Sequence, residues 1–137
     1  MIFNKWCDPE YCLQAVKEDG INLYFVENQT LEICLEAIKQ NPWVLELVEN
    51  QIPEICLTAV KKNGLVLKYV RKQTSEICLE AVKQNPSAIK YVEKQTPEFC
   101  VEAIKQNPEA YKHIRLPTTE PEREKFIRKL NFLLLAM

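Results

Sequence analysis

Six cysteines are the first residues in this chain that could do chemistry, since thiolates bind metals, form disulfides and act as nucleophiles. Five of them, Cys12, Cys34, Cys56, Cys78 and Cys100, recur every 22 residues without an insertion. Each is followed three positions on by alanine and four positions on by Val or Ile. A free cysteine in that company behaves as a small buried hydrophobe. Stacked helices place equivalent positions roughly 8–10 Å apart, too far for a disulfide or a single bridging metal ion. Cys7 and Cys12 share no CxxC spacing. The ladder therefore reads as packing, and neither a metal nor another cofactor is expected.

The other chemically capable residues read the same way. The single histidine, His113, stands where the other units carry Phe25, Leu47, Tyr69 and Tyr91, which marks a substituted apolar position and not a general base. The repeated glutamates, Glu10, Glu32, Glu54, Glu76 and Glu98, precede each cysteine by two residues, where a helix begins. The repeated lysines, Lys17, Lys39, Lys61, Lys83 and Lys105, fall where the same helix ends. Both placements complement a helix dipole. No phosphate-binding glycine loop, HExxH or GxSxG string is present. Enzymatic activity is not expected.

The elements that position these residues follow from the same register. Units 8–29, 30–51, 52–73, 74–95 and 96–117 account for 110 of the 137 residues, and a fixed period over five copies is the mark of a solenoid. Each unit holds two helix-start signals. Asp8-Pro9-Glu10, Thr30-Leu31-Glu32, Thr74-Ser75-Glu76 and Thr96-Pro97-Glu98 supply a capping side chain before the first helix. Asn41-Pro42, Asn85-Pro86 and Asn107-Pro108 start the second, with Asp19-Gly20 and Asn63-Gly64 reading as glycine turns in the other two units. Between the caps, Ile33, Cys34, Leu35, Ala37 and Ile38 fill an apolar arc of about 200°, and Val44, Leu45, Leu47 and Val48 repeat the pattern in the partner segment. Helices this short are stable only when stacked. The expected fold is all-α: an α-solenoid of five 22-residue helix-turn-helix repeats forming one domain over 1–137. Residues 1–7, with Phe3, Trp6 and Cys7, are expected to cover the first repeat. Residues 118–137 are expected to form a capping helix with Phe126, Ile127, Leu130, Leu133 and Leu134 inward and Arg123, Lys125, Arg128 and Lys129 outward. Thr119-Glu120-Pro121-Glu122 has the form of a capping box.

The units EICLEAIKQNP, EICLTAVKKNG and EICLEAVKQNP, followed by LKYVRKQT or IKYVEKQT, resemble the short helical repeat known as domain-of-unknown-function family 4116. Such repeats occur in bacterial, phage and giant-virus proteins. The resemblance spans residues 8–117 and implies a helical repeat fold and a mobile-element origin. It implies no activity and carries over no functional residue.

No run approaches the roughly 18 apolar residues of a membrane span, and the start MIFNKWCDPE has no basic segment leading an apolar one, so no export is expected. Free thiols then point to a reducing cytoplasm, that of the host if the chain is phage-borne. The net charge of −1 conceals a polarity. Residues 1–60 set three lysines against ten acids, net −7, and residues 61–137 set fifteen Lys and Arg against nine acids, net +6. In a solenoid this becomes a spatial dipole.

Two columns of the second helix carry the switch: Tyr24, Glu46, Lys68, Lys90, Lys112 and Glu27, Glu49, Arg71, Glu93, Arg115. With Trp43, read as a loop residue, they are the expected partner-binding surface of a protein-binding module or adaptor, in its narrowest form a small phage-borne inhibitor of a host protein. Nucleic-acid-backbone binding is the alternative, through Lys61, Lys62, Lys68, Arg71, Lys72, Lys90, Lys94 and Lys112. A self-associating scaffold, paired through the apolar C-terminal helix or head to tail by charge, is a third.

Overall fold

The computed structural model describes residues 4–137. Helices alternate along the chain between α and 3₁₀ types: η1 (Lys5–Cys7), α1 (Pro9–Glu18), η2 (Gly20–Phe25), α2 (Leu31–Gln40), η3 (Pro42–Leu47), α3 (Pro53–Lys62), η4 (Gly64–Tyr69), α4 (Ser75–Gln84), η5 (Pro86–Tyr91), α5 (Pro97–Gln106), η6 (Pro108–His113) and α6 (Glu120–Leu135). Each α-helix packs on its neighbours in sequence, and so does each 3₁₀ helix from η2 to η6. The result is a two-layered helical solenoid with an α layer and a 3₁₀ layer.

The expected caps are in place. Asp8 accepts a hydrogen bond from the Glu10 amide, and Thr30, Thr74 and Thr96 accept from Ile33, Ile77 and Phe99 at 3.1–3.3 Å. Unit three has Ile52 in the capping place and no side-chain cap, leaving Pro53 to begin the helix. Asp19, Asn41, Asn63, Asn85 and Asn107 cap the second helix through their side-chain oxygens at 3.0–3.1 Å. The amides of the same residues close the preceding α-helix onto an alanine carbonyl. One extended residue thus links the two helices, and the turn of the expected helix-turn-helix shrinks to that single residue.

The second helix differs from the α-helical phase read in the sequence. Its amides bond three residues back, as Val44 to Asn41 and Val48 to Leu45. Repeat closure supplies the reason. A ten-residue α-helix advances about 15 Å; six residues return about 12 Å as 3₁₀ helix but only about 9 Å as α-helix.

The glycines also act differently from the turn reading. Neither has positive φ. Both are buried, and their amides donate to the next unit, Gly20 to Gln40 Oε1 at 2.6 Å and Gly64 to Gln84 Oε1 at 2.5 Å. A Cβ on Gly20 would lie 2.7 Å from the Ala37 carbonyl oxygen, and one on Gly64 closer still to that of Ala81. Glycine here permits close stacking, not a turn. The remaining units carry Pro42, Pro86 and Pro108 at this place, without the amide. The α-helices approach more intimately across the glycine boundaries, α1 on α2 and α3 on α4, than across the proline boundaries, α2 on α3 and α4 on α5.

One core runs from Cys12 to Ala110, built from the Cys, Ala and Val or Ile positions of the α layer and the Val, Leu, Ile or Ala positions of the 3₁₀ layer. It contains no buried polar or charged residue among those described. Trp6 packs on its N-terminal end, stacked on Phe25 with centroids 5.1 Å apart; Phe3 lies outside the described residues. At the other end Phe126 and Leu130 of α6 pack with Cys100 and Val101, with Leu133 and Leu134 partly buried beside them. Lys129 bridges to Glu98 at 2.5 Å. Arg123 is half-buried and not wholly outward, because its guanidinium turns back to the Pro117 carbonyl at 3.1 Å. The Thr119 hydroxyl donates to the Glu122 carboxylate at 2.7 Å and caps no amide, so the capping box is not formed. Among the described residues no helix is long and apolar enough to cross a membrane.

Candidate interaction surface

Three residues per turn eclipse side chains at i and i+3, so each 3₁₀ helix pairs two outward positions. The pairs are Ile21 and Tyr24, Trp43 and Glu46, Leu65 and Lys68, Ser87 and Lys90, Glu109 and Lys112. The first unit makes this face apolar and aromatic, and the second sets Trp43 beside Glu46. Ile21 is 55% exposed, Tyr24 71%, Phe25 49% and Trp43 39%, with Tyr24 set edge-on to Phe25 at 5.2 Å. Unit three makes it cationic without losing the rings. Lys68 Nζ lies 5.2 Å from the Trp43 ring centroid and 4.9 Å from that of Tyr69, and the two rings meet edge to face at 6.1 Å. In unit four Lys90 lies 5.1 Å from the Tyr91 ring. Neither Lys68 nor Lys90 forms an ion pair with the described residues, whereas Lys112 bridges to Glu109 at 2.5 Å. His113 Nε2 meets the Ser87 hydroxyl at 3.2 Å across the boundary of units four and five.

The structure brings Tyr24, Trp43, Glu46, Lys68, Lys90 and Lys112 onto this one layer. Trp43 is the second residue of η3 and not a loop residue, since its amide donates to the Asn41 cap.

In the second expected column, Arg71, Arg115 and Glu27 are engaged within the chain. The Arg71 guanidinium donates to the carbonyls of Val48, Glu49 and Glu46 at 2.9, 3.1 and 3.3 Å. Arg115 donates to the Val92 carbonyl at 2.6 Å. Both arginines therefore staple their unit to the one before. Glu27 is held by Asn4 Nδ2 at 2.5 Å and by the Cys7 thiol at 3.0 Å. Glu49 is exposed, with its amide taken by Gln29.

The eight cations of the nucleic-acid reading fall on several different elements. Lys61 and Lys62 close α3 ahead of η4, Lys68 and Lys90 lie near the ends of η4 and η5, and Lys72 and Lys94 follow in the connections to the next unit. The length of a 3₁₀ helix, about 12 Å, separates Lys61 and Lys62 from Lys72. Arg71 is already engaged.

Sequence reasoning assigned no role to the glutamines that end the first four units. Gln29, Gln51, Gln73 and Gln95 accept from the amides of Glu49, Arg71, Glu93 and Arg115 at 2.9–3.0 Å. The first three also donate to the carbonyls of Leu47, Tyr69 and Tyr91 in the next unit. An amide side chain is the neutral group that can both donate and accept in this way. Its recurrence beside an apolar ladder was the available signal.

The thiols of Cys34, Cys56 and Cys78 lean on the same glutamine oxygens at 3.4–3.9 Å. Burial pushes Cys34, Cys78 and Cys100 up to about 11. It also raises Cys56, where nearby Arg71 acts in the opposite sense. Cys7 is exposed, yet its hydrogen bond to the Glu27 carboxylate holds the thiol form and raises its pKa. Among the described residues, no three His, Cys, Asp or Glu side chains gather as metal ligands. On the last turns of α6 and at its end, Phe132, Leu135 and Met137 are 72%, 88% and 58% exposed.

Neither curated proteins nor solved structures yield a match to this chain. A family model does match, three times in tandem, over residues 8–52, 53–95 and 74–116. Those spans contain the glutamine clamps, the paired caps and the cysteine ladder, and they show that the chain belongs to the family described as domain of unknown function (DUF4116).

Proposed function

We propose that this chain is a non-enzymatic protein-binding module whose recognition surface is the outer face of the 3₁₀ layer, from Ile21 to Lys90. One observation carries the reading: Ile21, Tyr24, Phe25 and Trp43 are exposed on the 3₁₀ layer, and Lys68 lies over the Trp43 ring with Lys90 over Tyr91 in the next unit. Contiguous exposed apolar surface rimmed by polar groups is characteristic of docking sites, and Trp and Tyr dominate interface energetics. On the α layer of the five units the exposed large apolar side chains are Tyr11 and Leu31. The other outer positions of that layer are mainly glutamates and lysines, two of which pair within their own helix as Glu36 with Lys39 and Glu102 with Lys105.

The test is capture of a partner on the immobilised chain from a lysate of its source organism. A variant combining Tyr24→Ala and Trp43→Ala should weaken capture by about 30-fold or more, the effect of losing one hot-spot residue. Lys39→Ala with Lys105→Ala on the α layer should leave it unchanged. Undiminished capture by the first variant, with its helical circular dichroism intact, would overturn the proposal.

A further inference from the structure

The 3₁₀ face has a spacing as well as a composition. Lys68 and Lys90 occupy the same place in successive units, and stacked helices lie roughly 8–10 Å apart. An extended peptide in the polyproline II conformation advances about 3.1 Å per residue with three residues per turn. Every third side chain thus falls on one edge at about 9 Å intervals. A β-strand does not match, because same-face residues recur at about 6.6 Å. Aromatic-lined surfaces are a recurrent seat for polyproline II segments. Here Trp43, Tyr69 and Tyr91 line the face beside the lysines.

We propose that the occupant of this face is a polyproline II segment of a partner protein, carrying an apolar anchor and then carboxylates at every third residue. The anchor seats on Ile21, Tyr24 and Trp43, and successive carboxylates meet Lys68 and Lys90. This inference rests on the reading of the chain as a protein-binding module and adds the chemistry of its ligand. Both lysines already lie over aromatic rings, which limits the side-chain freedom that binding would otherwise remove. Neither has an intramolecular carboxylate partner to displace among the described residues. Lys112 does have one in Glu109, so the cationic row effectively ends at Lys90.

A nucleic acid fits this face less well. Followed toward the N-terminus, the lysine column meets Glu46, within a stretch of sixty residues whose net charge is −7. A uniform polyanion would run into that repulsion, whereas a segment with carboxylates at one end would not. Arg71 and Arg115, of the type better suited to phosphate, are spent on backbone carbonyls.

Fluorescence anisotropy of the full chain tests the proposal with three labelled probes. One peptide has a leucine-tryptophan anchor followed by Pro-Pro-Glu repeats. A second has the same composition with its glutamates contiguous. The third is a single-stranded oligodeoxynucleotide of about 20 nucleotides. The phased peptide should bind at least about tenfold more tightly than the clustered one at about 150 mM salt. Lys68→Glu with Lys90→Glu should abolish that preference, and Trp43→Ala should weaken both peptides alike. Equal affinity for the two peptides, or tighter binding of the oligonucleotide, would overturn the inference. If the native partner is still captured through Tyr24 and Trp43 without any phasing preference, this inference falls and the protein-binding reading stands. Capture indifferent to Tyr24 and Trp43 removes both.

Discussion

Gly64→Ala decides whether close stacking or turn geometry explains the glycines, because the two accounts differ in the sign of the effect. Gly64 has no positive φ. On backbone grounds alone alanine should stabilise by about 0.4–1 kcal/mol through a less flexible unfolded chain. Packing says otherwise. An added Cβ would lie inside contact distance of the Ala81 carbonyl oxygen and 3.1 Å from both the Ala81 carbonyl carbon and Gln84 Oε1. The obstruction is backbone, so α4 must withdraw, at an overpacking cost of about 1–3 kcal/mol. Withdrawal also stretches the bond from the Gly64 amide to Gln84, worth about 0.5–1.5 kcal/mol. The balance is a destabilisation of about 2 kcal/mol. With an unfolding entropy of roughly 2.1 cal/mol/K per residue, the 137-residue chain should melt about 7 °C lower. Gly20→Ala, where the clash is milder, should lower Tm by less. The assay is thermal and urea unfolding followed by circular dichroism. A Tm that rises for Gly64→Ala would refute the argument and return the glycine to an ordinary linker role.

Three further outcomes follow from the inter-unit bonds. Gln51→Ala removes an amide that serves Leu45, Tyr69 and Arg71 backbone groups; it should cost about 2–4 kcal/mol in urea titration, against less than about 0.5 kcal/mol for the surface change Gln14→Ala. Arg71→Lys keeps the charge but cannot reach three carbonyls with one nitrogen, so it should destabilise by about 1–2 kcal/mol in the same assay. The thiols give a pH signature: Cys34, Cys78 and Cys100 rise from 9.0 to about 11 on folding. Their contribution to stability is complete below about 9 and is lost as pH climbs toward about 11. Tm should therefore fall across that window, and less so in a variant with all three changed to alanine.

How much of this was legible in the sequence varied by layer. The α-helices and their caps were plain, because Thr-Pro-Glu and Asn-Pro name both the capping side chain and the first helical residue. The 3₁₀ helices were not, since Val44, Leu45, Leu47 and Val48 satisfy an α-helical and a three-residue period about equally well over so short a stretch. Asn-Gly signals a turn by local chemistry, yet what requires glycine here is a carbonyl from the next unit, a contact no local pattern encodes. The intramolecular bonds of Arg71 and Arg115 were hidden for a related reason. Variation in charge along a column looks like partner choice, but a long side chain can fold back onto its own scaffold, and only coordinates reveal that it does.

The 3₁₀ geometry also bears on the proposed recognition face. An α-helix in the second layer would place its outward side chains on a 3.6-residue spiral. Three residues per turn instead stack Ile21 beneath Tyr24, Trp43 beneath Glu46 and Leu65 beneath Lys68, so each unit presents a straight pair and five units present two parallel rows. Substitutions along these rows leave the ladder of cysteines, alanines and glutamines untouched, since that ladder faces inward or across the boundary. The scaffold can thus keep a fixed core while one row passes from Tyr24 through Glu46 to Lys68 and Lys90. Under the proposed protein-binding function, specificity is a property of the order of the units. Exchanging units one and three should therefore alter partner choice far more than stability, provided each glycine boundary keeps its paired glutamine, as Gly20 has Gln40 and Gly64 has Gln84.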